Sequence, residues 1–291
     1  DWMTLFERED ENPYVDAFWE WWPELRKTLN ILRVTGGEPT MHTSTWKLLQ
    51  QIDTDPMPWL ELNINSNLGT KTKLIERLST SVKKLCDEDK LESFKLFTSL
   101  DTWGPRAEYT RTGLDLELWE TNFHTYLTQT DSPITFMVTF NLFCVSSFKG
   151  LLEKFLEWRT QYGWYDDKPN DKHRVRFDTP YLREPLQYDM NILPKEEYMP
   201  YMYDSLKFME ENVDDERSDK FTTLEYEKFK RVVDYMQETV YTDEKLIEGR
   251  RDFYNWFNEL DDRREADFLS VFPEMMDFYK LCQTVNLTNP L

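Results

Sequence analysis

The chain has 291 residues, of which 40% are hydrophobic and 15% aromatic, and its 55 acidic against 35 basic side chains give a formal charge of −20. The apolar fraction is enough for one large globular domain or two ordinary ones, while the negative field argues against nucleic acid or anionic lipid as partners. No apolar run approaches the roughly 20 residues that span a bilayer. Cys86, Cys144 and Cys282 are scattered without disulfide or metal spacing, so a cytoplasmic protein is expected.

A helical stretch rich in aromatics, Pro13 to Asn30, comes first, with Pro23 expected to start a second turn inside it. Strand-like runs then recur: Ile31 to Thr35, Leu60 to Asn65, Phe94 to Leu100, Ile134 to Phe140 and Arg174 to Asp178. Helical patterns lie between them. Thr72 to Leu85 is the clearest, with Leu74, Ile75, Leu78, Val82 and Leu85 on one face, and Leu114 to Leu127 and Phe148 to Tyr162 repeat the scheme. Strands alternating with such helices predict parallel βαβ units. The chain opens on Asp1 without an initiator Met, and its first helix follows no strand, so the repeating unit is expected to lack its amino-terminal strand.

From Leu193 the strand signal stops. Tyr198, Met202, Leu206 and Met209 mark a helix ended by Asp214-Asp215-Glu216, and helices are expected over Leu224 to Tyr241, Glu244 to Asn258 and Phe272 to Cys282. Phe253, Trp256, Phe257, Leu260 and Phe268 form an aromatic stripe expected in a core, with Asp261-Asp262-Arg263-Arg264 as a solvated turn. The predicted organisation is residues 1–192 as an α/β part and 193–291 as a helical region.

The strand ends carry the chemistry. Ile31 to Val34 empties into Thr35-Gly36-Gly37-Glu38-Pro39, where glycines let backbone approach a ligand and carbonyls can accept from an ammonium group; an ordinary strand-to-helix turn would read the same way. The next strands end in Asn65-Ser66-Asn67, Ser99-Leu100-Asp101 and Thr139-Phe140-Asn141. Small polar residues at the same end of successive parallel strands suggest a lined cavity. Arg111, in the loop after Asp101, has the fork that holds a carboxylate, although Glu108 with Arg106 or Arg111 could equally form a surface ion-pair cluster. His42, His124 and His173 share no metal spacing.

In this order, Gly36-Gly37-Glu38-Pro39, Asn65-Ser66-Asn67, Ser99-Leu100-Asp101 with Arg111-Thr112-Gly113, and Thr139-Phe140-Asn141 resemble the radical S-adenosylmethionine (SAM) enzymes over about Asn30 to Tyr181. Arg250-Arg251-Asp252-Phe253 and Phe272-Pro273-Glu274 in the helical region look like the twitch-type members. The resemblance implies a partial (β/α)6 TIM-like barrel, here lacking its first strand and followed by the α-helical region. It also implies a 4Fe-4S cluster and SAM, cleaved to a 5′-deoxyadenosyl radical that modifies a peptide or small-molecule substrate, with flavodoxin or ferredoxin as electron donor. By resemblance, Gly36, Gly37 and Glu38, with Pro39 closing the turn, hold the SAM amino group through backbone carbonyls. Ser99 and Asp101 lie near the ribose, Arg111 near the carboxylate, and Asn67 and Asn141 line the pocket.

One departure is large. The family's Cys-x3-Cys-x2-Cys motif is absent, and without three thiolates neither cluster nor reductive cleavage is available, so the ligands are expected upstream of Asp1 and the chain alone is expected to be inactive. Two other readings remain at this point: a cluster-free binding or scaffold protein on the same barrel that docks a basic partner through its acidic tail, and a hydrolase using Glu38 and Asp101 as acid and base.

Overall fold

The computed structural model describes residues 12–163 and 173–289. Its elements in chain order are α1 (Pro13–Leu25), β1 (Ile31–Val34), α2 (Thr43–Thr54), β2 (Met57–Asn65), α3 (Thr72–Asp87), β3 (Leu91–Thr98), α4 (Pro105–Thr110), α5 (Leu116–Gln129), β4 (Ile134–Met137), α6 (Phe148–Tyr162) and β5 (Val175–Asp178). The helices α7 (Lys195–Glu210), α8 (Thr223–Glu238), α9 (Asp243–Arg264), α10 (Phe268–Val271) and α11 (Met276–Thr288) follow. The five strands form one parallel sheet in the order β1-β2-β3-β4-β5, as the βα alternation predicts. Pro23 lies inside α1 and does not divide it.

The chain divides into two compact units, Asp1–Thr98 with Glu117–Thr135, and Ser99–Leu116 with Phe136–Leu291. The boundaries fall at the carboxyl end of β3, at the start of α5 and within β4. In the first unit, register pairs Leu32 with Leu62 and Leu62 with Phe94, then Val34 with Ile64 and Ile64 with Leu96. Because side chains alternate across a strand, these residues share one apolar face. Ile75, Leu78, Val82 and Leu85 form the buried stripe of α3, which packs on β3. From α5, Asn122 donates through Nδ2 to the carbonyls of Leu68 (2.8 Å) and Thr70 (2.7 Å), pinning the loop that leaves β2.

In the second unit the helical region shares a core with the loop after β4. The Phe143 ring meets those of Phe253, Phe257, Phe268 and Phe272 at 4.9–6.2 Å between centroids. Phe253 and Phe257 are four apart in α9, so helical spacing puts both rings on one buried face, as the aromatic stripe predicted. The run Asp261 to Arg264, expected as a turn, instead completes α9, which stops where Glu265 enters the left-handed region at φ 52°. A buried pair ties α6 to α8: the Arg159 guanidinium donates to Glu225 through Nη2 (2.6 Å) and Nη1 (3.1 Å), and also to the carbonyls of Val175 and Lys220. Among the described residues no helix is long and apolar enough to cross a membrane.

Candidate functional site

The loop after β1 is built from both ends. Gly36 and Gly37 take φ of 94° and 52°, a region costly for any side chain, and nothing stands within 4 Å of where a Cβ on Gly36 would lie. Pro39, buried, opens a single helical turn, Pro39–Met41. Glu38 then locks the loop: Oε1 accepts from Thr40 N (3.2 Å) and Thr40 Oγ1 (2.7 Å), and Oε2 from Ser66 Oγ (3.1 Å) and Asn67 N (2.9 Å). Four donors fill the carboxylate's four lone-pair sites. Glu38 is therefore a brace between the ends of β1 and β2.

What the loop offers a ligand is main chain. Neither the Gly36 nor the Gly37 carbonyl accepts a backbone hydrogen bond among the described residues, whereas the Glu38 carbonyl already takes one from Met41 N (3.0 Å). Asn67 is engaged by its own turn, its Oδ1 accepting from Gly69 N at 2.8 Å.

The same unit presents a feature that the strand-end reasoning missed. On the sheet face opposite the apolar one, register sets Arg33 beside Asn63 and Asn63 beside Lys95, with Glu61 beside Ser93 and Asn65 beside Phe97. Lys95 Nζ pairs with Glu61 at 2.7 Å, Asn63 Nδ2 donates to Glu61 at 3.0 Å, and Arg33 bonds Asn65 at 2.9 Å with its guanidinium 4.1 Å from the Phe97 ring centre. Asn63 is 5% exposed, and its Oδ1 has no partner. Parallel strands are ordinarily apolar on both faces. The alternation Leu60-Glu61-Leu62-Asn63-Ile64-Asn65 was the available signal that this face carries polar side chains.

In the second unit, Asp101, Arg111, Thr139 and Asn141 form one network. Asp101, 6% exposed, accepts from Arg111 Nη2 at 2.9 Å and from Thr139 N at 2.8 Å. Burial pushes the Asp101 carboxyl above the usual carboxylate range, against the pull of Arg111 and the Thr139 N–H. Asn141 donates to the Thr139 carbonyl and accepts from Phe143 N, which turns the chain after β4. Arg111 is thus held by Asp101, and among the described residues the Glu108 ion-pair cluster does not form: Glu108 accepts from Leu116 N, while Arg106 pairs with Glu274 at 2.9 Å. Ser99 is half-buried, with no side-chain hydrogen bond among the described residues.

No family model, curated protein or solved structure matches the chain.

The residues fit the two expected cofactors unequally. Gly36 and Gly37 supply an open backbone turn whose carbonyls suit an ammonium group. The cysteines do not fit a 4Fe-4S cluster: Cys144 and Cys282 are fully buried, and burial raises both thiols, which favours the protonated form over the thiolate that binds iron. Among the described residues no three His, Cys, Asp or Glu side chains group as metal ligands.

Proposed function

We propose that this chain is the SAM-holding part of a radical SAM enzyme built on a partial (β/α)6 barrel. The observation that carries the reading is the Gly36-Gly37 turn at the carboxyl end of β1, with two positive-φ residues, open space beside Gly36 and a carboxylate brace behind it. Ligands in parallel α/β folds gather at that end of the strands. In this reading the carbonyls of Gly36 and Gly37 accept from the methionyl ammonium group. Within the second unit, Arg111, held by Asp101, keeps its Nε free for an acceptor. The charged row Arg33, Glu61, Asn63 and Lys95 is the face offered to a polar substrate. β1 lies at the edge of the sheet with exposed and half-buried residues alternating, and that edge is where a further strand would pair.

Cys144 and Cys282 are buried with their thiols held protonated, which favours as second reading a binding or scaffold protein that keeps the SAM-type turn without a cluster. Calorimetric titration with SAM tests the first reading. Saturable binding that weakens at least tenfold in Gly36→Val, with the fold intact by circular dichroism, is expected. Absence of SAM binding, together with salt-dependent binding of a basic peptide, would favour the scaffold.

A further inference from the structure

A cleft of about 450 Å³ opens at the carboxyl end of β5, and its walls include Asp178, Thr179, Tyr181, Arg183, Lys228 and Arg231. Lys228 and Arg231 are three apart on α8 and so present one face. Lys228 Nζ reaches Asp178 at 3.0 Å. Arg231 bonds only the Glu227 carbonyl of its own helix, through Nε at 3.3 Å, leaving both Nη atoms without a partner among the described residues. Arg183 stacks on the rings of Tyr181 (5.2 Å) and Tyr235 (5.0 Å) and donates to the Tyr181 hydroxyl at 2.8 Å.

Neither Arg183 nor Arg231 has a carboxylate in ion-pair range among the described residues, although Arg106, Arg111, Arg159 and Arg217 of the same unit each have one. In a chain of charge −20, three cations around one carboxylate at the end of a parallel strand are a local reversal of sign. Thr179, 6% exposed, adds a hydroxyl with no hydrogen-bond partner.

We propose that this cleft binds a phosphate monoester. A phosphate dianion carries about two negative charges and three acceptor oxygens. It would match the cleft's net two positive charges and the two guanidinium forks, which favour planar pairs of oxygens. The volume exceeds that of a bare phosphate and lies within the roughly 300–1,000 Å³ of small-ligand sites, which leaves space for the organic part of an ester. SAM carries no phosphate, so this site stands apart from the SAM reading.

The test is calorimetric titration of the chain at low ionic strength with AMP, inorganic phosphate and adenosine. AMP is expected to bind saturably and more tightly than phosphate, and adenosine not to bind. Arg231→Gln should weaken AMP binding about tenfold, the scale of one charge-assisted contact. Asp178→Asn, which keeps an oxygen for Thr179 N, should tighten it several-fold. Lys84→Gln, the same loss of charge in the groove between α2 and α3, should leave it unchanged. The proposal is overturned if AMP does not saturate, if phosphate or adenosine binds as well as AMP, or if Lys84→Gln weakens binding as much as Arg231→Gln does.

Discussion

Each oxygen of the Glu38 carboxylate accepts two hydrogen bonds, so one nearly buried side chain fixes the geometry of a loop whose own hydrogen bonding is sparse. Glu38→Gln replaces one acceptor oxygen by a donor that faces donors. It is expected to cost roughly 2 kcal/mol, the range for hydrogen bonds to a charged group, read from urea denaturation. Gly36→Ala meets no neighbour, so its cost is purely that of the backbone, roughly 1 kcal/mol, and it should appear in the same measurement. Asp101 titrates with the opposite sign to a paired surface carboxylate. Folding favours its neutral form, so its contribution is present below about pH 3.9 and is lost as pH rises through the higher folded value. Asp101→Asn should remove that loss while keeping an acceptor for Thr139 N, as a pH series of melts would show.

At the scale of elements, the Arg159–Glu225 pair decides how α6, β5 and α8 are held. Arg159 is fully buried, and its guanidinium also bonds the carbonyls of Val175 in β5 and Lys220. Burial opposes ionisation of Glu225, but the charge and hydrogen bonds of Arg159, with the Thr222 N–H, outweigh it and hold the carboxyl below the ordinary range. Its stabilisation is therefore complete above about pH 4.3 and lost as pH falls through the folded value.

His173, bonded to the Lys220 carbonyl at 2.8 Å, is also depressed, by burial first and by Arg159 next, so protonating it costs stability as pH falls below about 6.5. Acid unfolding should thus weaken the second unit in two steps, of which His173→Gln removes only the upper. Glu225→Gln should cost about 3 kcal/mol, because it leaves a buried guanidinium without its counter-charge, whereas Arg159→Met with Glu225→Gln should cost less than the two single changes summed. A denaturation-based double-mutant cycle measures both.

For the whole molecule, the strand and helix succession was legible because each strand is a short apolar run and each helix carries an apolar stripe at helical spacing. The boundaries moved where local signals were weak: β2 begins at Met57 rather than Leu60, and the last described helix starts at Met276 after a single turn at Pro273. The Gly36-Gly37 turn was legible too, since positive φ selects glycine. What lay hidden depended on partners distant in the chain. Arg106 finds Glu274 168 residues away and Tyr109 finds Asp261 152 residues away, so no local pattern around Glu108 could reveal that its neighbours were taken. The charged face of β2 and β3 was written in the alternation of their residues. It was missed because parallel strands are expected to be apolar on both sides.

The central claim is that the turn after β1 holds SAM by its main chain. Backbone amide shifts of the isotopically labelled chain, followed during titration with SAM, test it most directly. The account predicts saturable shifts centred on residues 36–40 and 67, and absent in Gly36→Val. Shifts confined to residues 178–183 and 228–231, or no shifts at all, would contradict it.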